Sequence, residues 1–151
     1  MLIAATCGTF LAMIAYASGG DTISLTGNCG TIEIARQFPS TVYIDATKAT
    51  VQGLRISGSR IHWWGGRISA PGGMDAIGLA GYAAKITGQA IRVKSAIITD
   101  ARKGMVIDQA SSVLIDRNRF WRLREDGIVV SRTTGLTVSY NTFSESKPLP
   151  T

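Results

Sequence analysis

The sequence predicts an all-β solenoid, a stack of coils of about 20–23 residues with three short strands each, on three observations. The first is a repeat. Ala101–Leu123 reads ARKGMVIDQASSVLIDRNRFWRL and Arg124–Ser146 reads REDGIVVSRTTGLTVSYNTFSES, and an offset of 23 residues puts Gly104 on Gly127, Val106 on Val129, Asn118 on Asn141 and Phe120 on Phe143. Apolar positions follow: Met105 with Ile128, Ile107 with Val130, Val113 with Leu136, Ile115 with Val138. A unit of this length cannot bury its own apolar face and must stack on its neighbours. The second is alternation with period two in runs bounded by turn residues, the mark of a half-buried strand. The third is composition: Ile, Val, Thr, Ser and Gly dominate, and no segment of the repeat is long enough for a helix.

The elements follow in order. Leu2–Ala17 is almost wholly apolar. Phe10, Met13, Ile14 and Ala17 fall at i, i+3, i+4 and i+7, which predicts a short helix over the open first coil. Thr6 and Thr9 offer N-caps and Gly19-Gly20 a stop. Residues 1–19 are therefore read as a capping helix. The alternative is a signal peptide ending at Ala15-Tyr16-Ala17, but no Lys or Arg precedes the apolar run. The run is too short and interrupted to span a membrane. Strands are expected at Thr22–Leu25, Thr31–Ile34, Thr41–Asp45, Val51–Ile56, Ile61–Trp64 and Arg67–Ser69. Met74–Ala84 fits the period poorly and reads as an insertion with a short strand around Ile77–Leu79. Regular coils return with Lys85-Ile86, Ile91–Lys94 and Ala96–Thr99, then Gly104–Ile107, Val113–Asp116 and Phe120–Leu123, then Gly127–Val130, Leu136–Ser139 and Phe143. The solenoid is assigned to residues 20–146 and a tail to 147–151. The last coil has only begun, and no capping element follows it, so the chain is expected to continue in further coils or to meet a partner subunit, a homo-oligomer included.

A length of 151 residues suits one domain, and 45% apolar with 17% charged residues argues against disorder. The net charge of +6 favours polyanionic partners. No basic arm or recognition helix stands out, so nucleic acid is not expected. Cys7 and Cys29 lack zinc or redox spacing. They read as two small buried thiols, with a disulfide in an oxidising compartment as the alternative.

Ser112–Phe120 (SVLIDRNRF) and Gly135–Phe143 (GLTVSYNTF) resemble the "s-nvtI-nN-f" coil of the right-handed parallel β-helix superfamily, the pectin-lyase-like fold of polysaccharide lyases, polygalacturonase-type hydrolases and phage tailspikes. Asp126-Gly127-Ile128 resembles the strand start that often follows. The resemblance covers residues 20–146. It implies right-handed coils, an acidic polysaccharide as partner, an extracellular, cell-surface or virion location, and a substrate groove on the outer face of the strand that contains Val113–Asp116. Alternation turns Val113 and Ile115 inward and Leu114 and Asp116 outward. On equivalent strands the outer stripe is Tyr43 and Asp45, His62 and Trp64, Arg92 and Lys94, Leu114 and Asp116, Thr137 and Ser139, with Trp63 inside. Tyr43, Asp45, His62, Trp64, Arg92, Lys94 and Arg117 are the expected substrate contacts. Aromatic rings stack on sugar faces, and cations pair with uronate carboxylates.

For catalysis the candidates are Asp116, Lys94 and His62. Asp116 occupies the acidic place of a family motif resembling "W-I-D-H", but Leu114, Ile115 and Arg117 surround it. Calcium is the ion that the lyase resemblance would bring; Lys94 and Ser139, not a second carboxylate, flank Asp116, so no cofactor or metal is expected. Lys94 and Asp116 also read as a cross-strand ion pair. Asp100 and Asp126 come nearest to a turn-aligned carboxylate pair, and the "NTDG" and "GHG" signatures are absent. Arg117, Arg119, Arg122 and Arg124 read as one solvated basic edge, with binding of an anionic glycan as the alternative. Asn118 and Asn141 share a corner and read as a structural ladder that tolerates the unusual backbone there. Together these features describe a polysaccharide-processing β-helix protein that binds an acidic polysaccharide and, if an enzyme, cleaves it as a lyase or glycoside hydrolase. The alternative is a non-catalytic glycan-binding or structural module, such as part of a tailspike or adhesin.

Overall fold

The computed structural model describes residues 1–144; the expected tail at 147–151 lies outside the described residues. The elements are β1 (Leu2–Thr6), α1 (Phe10–Tyr16), β2 (Thr22–Cys29), β3 (Ile32–Ile34), β4 (Gln37–Gln52), β5 (Leu54–Ile56), β6 (Ser59–Trp64), β7 (Arg67–Ser69), a 3-10 turn (Gly78–Gly81), β8 (Tyr82–Ile86), β9 (Gln89–Lys94), β10 (Ile97–Asp108), β11 (Ser111–Asp116), β12 (Arg119–Ser131), β13 (Thr134–Ser139) and β14 (Thr142–Ser144). All pairings are parallel, and each strand pairs with its equivalent one coil away. The coils present three faces. The first sheet stacks β1, β2, β4, β6, β9, β11 and β13. The second runs from the end of β2 through β4, β7, β10 and β12 to β14. The third stacks β3, β5, β8, β10 and β12.

Because side chains alternate along a strand, stacking turns the inner positions into rows. Val42, Ile61, Ile91, Val113 and Leu136 form one, and Ile44, Trp63, Val93, Ile115 and Val138 the next. The second sheet contributes Val51, Ile68, Ile98, Phe120 and Phe143, the last two rings stacked with centroids 4.7 Å apart. Ile34, Ile56, Ile86, Ile107 and Val130 close the core from the third.

The corners use left-handed backbone, mostly at residues other than glycine. Arg60, Ala90, Ser112 and Gly135 occupy equivalent places at the start of the first-sheet strands, with φ of 59°, 56°, 54° and 65°. Ser95, Arg117 and Tyr140 repeat this at the next corner, with φ of 57°, 55° and 55°. The expectation that Asn118 and Asn141 would themselves adopt this conformation is corrected: the strained residue is the one before each Asn. A repeated bend is needed wherever a coil changes face, so its place is set by the stack and not by residue preference.

Two N-terminal expectations change. Residues 1–19 are not helix alone, because β1 pairs in register with β2, Leu2 on Thr22 through Thr6 on Thr26. The helix is present and buries Phe10 and Ile14, with Ala17 buried behind it. Thr9 is its N-cap residue but makes no side-chain cap; its hydroxyl instead accepts the Thr6 N–H at 2.9 Å. The helix end is held from outside: Arg36 Nη1 donates to the carbonyls of Ile14, Ala15 and Ala17, a cation where the helix dipole is negative. The insertion also differs. Ile77–Leu79 is not a strand; Gly78–Gly81 form the 3-10 turn, and Ile77 is exposed. No helix among the described residues is long and apolar enough to cross a membrane.

Cys7 and Cys29 are bonded, S–S 2.07 Å, so the buried-thiol reading is corrected. Cys29 pairs with Val51 at the edge of the second-sheet core, while Cys7 lies between β1 and α1. The bond therefore staples the cap to the first coil. With a sequence separation of 22, the chain-entropy argument gives about 3 kcal/mol. Urea unfolding of the Cys7→Ser/Cys29→Ser variant should show that loss; an unchanged midpoint would mean that the cap docks without the staple.

Candidate site on the first sheet

The outer face of the first sheet carries two rows. One is Thr22, Tyr43, His62, Arg92, Leu114 and Thr137; the other is Ser24, Asp45, Trp64, Lys94, Asp116 and Ser139. The sequence-predicted stripe is reproduced in order and in register. Trp63 is wholly buried and Trp64 is 52% exposed, so the β6 register is the expected one.

Small residues shape this face. Ala90, Ser112 and Gly135 stand beside the row that holds His62 and Arg92, and these five are among the residues that line a groove of about 380 Å³. A smaller hollow of about 140 Å³ adjoins it, lined by Thr22, Tyr43, Asp45, His62 and Trp64. His62 lines both. Its ring lies 5.3 Å from that of Tyr43. Partial burial, then the charges of Lys94 and Arg92, push the His62 pKa below its ordinary value. The shift favours the neutral imidazole, which carries one nitrogen able to accept a hydrogen bond. Arg92 is exposed and has no acidic partner among the described residues. Asp45 accepts the N–H and hydroxyl of Thr47 at 3.0 and 2.7 Å, which closes the turn after β4's first segment.

The ladder lies at the edge of this face. Asn118 Oδ1 accepts the Ala96 N–H at 2.9 Å, and its Nδ2 donates to the Val93 carbonyl at 2.9 Å and to Asn141 Oδ1 at 3.1 Å. Asn141 repeats the pattern, accepting the Asn118 N–H at 2.8 Å and donating to the Ile115 carbonyl at 2.9 Å. The two side chains tie three coils at one corner.

The family described as right handed beta helix region matches residues 15–147. The chain belongs to the right-handed β-helix family. No curated relative matches it. A crystal structure of pectate lyase Pel9A aligns with a TM-score of 0.69 at 13% identity, over 87% of this chain and 41% of that chain. The likeness is one of fold, and this β-helix spans less than half of that chain's length.

Within the β-helix, Asp116 departs from the expected outward, accessible carboxylate. It is only 3% exposed. Ser139 Oγ donates to Oδ1 at 2.8 Å, Arg117 Nη1 donates to Oδ2, and Lys94 Nζ stands 4.0 Å from Oδ2. Burial alone would raise its pKa, but the Ser139 and Arg117 hydrogen bonds and the Arg117 and Lys94 charges outweigh burial and hold it below the ordinary carboxylate range. Both oxygens are engaged by donors, and a calcium ion there would face two cations and no second carboxylate. The residues do not fit that ion. Among the described residues no three His, Cys, Asp or Glu side chains come together as a metal site.

The basic edge of the β-helix is also re-sorted. Arg117 lies against Asp116, with its guanidinium 4.9 Å from the Tyr140 ring centroid. Arg124 pairs with Asp75 at 2.7 Å. Arg119 and Arg122 flank Trp121 on the second sheet and are joined there by Arg67. Asp100 and Asp126 do not pair; Asp100 bonds Arg67 and Arg122, and Asp126 bonds Lys103. Two features escaped the sequence reading. The groove's small residues had a signal, a small side chain at the second position of β9, β11 and β13 (Ala90, Ser112 and Gly135). Arg67 had none, because it lies about two coils from the Arg119 run in sequence.

Proposed function

We propose that this β-helix binds an acidic polysaccharide along the outer face of the first sheet. The observation that carries the reading is the register of Tyr43, His62 and Arg92 beside Asp45, Trp64 and Lys94, over a groove of about 380 Å³. Tyr43 and Trp64 offer aromatic faces for sugar rings. Arg92 offers a guanidinium with no internal carboxylate to satisfy, and uronate carboxylates match its fork. Lys94 adds a second positive charge one row away. Binding is favoured over cleavage because Asp116 is covered and committed to donors, while Lys94 leans toward it. The disulfide suits an oxidising compartment, which supports action outside the cell or at its surface.

Titration of polygalacturonate into the protein tests this. Arg92→Ala is expected to weaken binding about tenfold, the loss of one charge-assisted hydrogen bond. Uncharged dextran should not bind. Unchanged affinity in the variant removes the reading. Release of unsaturated or reducing sugar ends by the wild-type chain would replace it with a catalytic one, with His62 as the proton acceptor.

A further inference from the structure

The second sheet carries a cluster that the groove does not use. On its outer face, Trp121 pairs in register with Thr99 and Ser69, and Arg119 with Ile97 and Arg67. Three guanidiniums surround the Trp121 ring, that of Arg119 at 5.0 Å from its centroid, Arg122 at 5.4 Å and Arg67 at 5.9 Å. One carboxylate sits among them: Asp100 Oδ2 is 3.1 Å from Arg67 Nη2, and Oδ1 is 3.1 Å from Arg122 Nε. Thr99, wholly buried beneath, donates its hydroxyl to Asp100 at 3.2 Å. Asp100 thereby holds two of the guanidiniums in place while leaving most of their N–H donors unused. Arg119 has no acidic partner among the described residues.

The charge clusters on the third-sheet side and at the adjoining turns are matched one to one, and Asp116 faces two cations, Lys94 and Arg117. Arg102 and Lys103 face Glu125 and Asp126, Arg132 faces Asp108, and Arg124 faces Asp75. The Trp121 cluster sets three cations against one anion. This patch thus carries a local excess of positive charge, on the exposed guanidiniums of Arg119 and Arg122 and the half-buried one of Arg67, beside an indole. Arg side chains in that state match carboxylates bidentately, and the indole adds an apolar edge for a sugar ring. The corner that joins this face to the first sheet carries Arg117 over Tyr140, both exposed. Basic and aromatic side chains therefore stand on the first sheet (Lys94), at the corner (Arg117, Tyr140) and on the second sheet (Arg119, Trp121).

We propose that the Trp121 face is a second binding site for acidic polysaccharide, gripping the same polymer on a different side of the coil from the groove. The inference rests on the ligand class proposed above, but not on the groove itself. The experiment compares Arg119→Glu with Arg92→Ala against long polygalacturonate, with single-stranded DNA as a second polyanion. Arg119 gives up no ion pair among the described residues, and Arg119→Gln serves if the charge reversal disturbs folding. Arg119→Glu is expected to weaken polygalacturonate binding about tenfold, and to weaken it further when combined with Arg92→Ala. If both Arg119 variants bind within twofold of wild type while Arg92→Ala is impaired, the second site is overturned and the groove stands. If Arg119→Glu is impaired and Arg92→Ala is not, the groove falls and the second site stands. If neither is impaired, both fall. DNA that binds more tightly than polygalacturonate, with the loss on Arg119→Glu, would overturn the glycan assignment in favour of a nucleic-acid surface.

Discussion

Trp63→Ala should lower the free energy of unfolding by about 3–5 kcal/mol, the range for emptying an aromatic site in a packed core. Trp63 is wholly buried and heads the described residues in buried side-chain size. It stands between Ile44 and Val93 in its row, so the cavity would open toward two coils at once. The stack cannot collapse to fill it, because the ladder hydrogen bonds above and below hold the coil spacing. Its indole N–H donates to the Gly65 carbonyl at 3.0 Å, and the truncation would orphan that acceptor as well. Trp63→Phe should lose much less, as most of the volume is kept. His62 and Trp64 flank Trp63 on β6 and point to the other side, so the same variant should also weaken polygalacturonate binding. Denaturant unfolding decides the first point; a loss below about 1 kcal/mol would mean that the core relaxes freely around this site.

Asn118→Leu is the second large effect, at about 3–4 kcal/mol. Asn118 is 2% exposed, and its amide serves the Ala96 N–H and the Val93 carbonyl. Each backbone group left without a partner costs roughly 1–3 kcal/mol. Asn118→Asp separates the donor from the acceptor. The Ala96 bond survives, but at neutral pH a carboxylate would face the Val93 carbonyl and Asn141 Oδ1. The folded state then favours the protonated acid, so its pKa rises, and stability should recover as the pH falls through it. Asn141→Ala, at the more open corner, should lose less. An Asn118→Leu chain as stable as wild type would show that the corner is held by stacking alone.

The rows of the first sheet were legible because two periodicities act together. Alternation settles which side chains face out, and the 23-residue offset settles which strands stand side by side. That is why Leu114 and Asp116 stand beside Thr137 and Ser139; Tyr43, His62 and Arg92 are not spaced by that offset and lie where expected through strand order and alternation. Asp116 shows where the argument stops. Alternation points it outward, yet Ser139 from the next coil and Arg117 at the corner close over it, and direction along a strand does not give depth. β1 was missed because Leu2–Thr6 has no alternation to mark it as a strand. The cysteines held an unused signal: their separation of 22 residues is close to one coil, which brings such a pair to neighbouring levels.

By itself, the sequence determined that the chain is a stack of strand coils, that Val113, Ile115 and Trp63 face inward, and which residues share the outer stripe. These follow from periodicity, a property that each residue carries with its position. Only the tertiary structure decided that Cys7 meets Cys29, that Asp116 is neutralised where it stands, and that Arg67 joins Arg119 and Arg122 around Trp121. Those outcomes depend on how side chains from different coils fold over one another at corners and ends. There the repeat no longer constrains them, and charge, packing and hydrogen bonding between sequence-distant residues do.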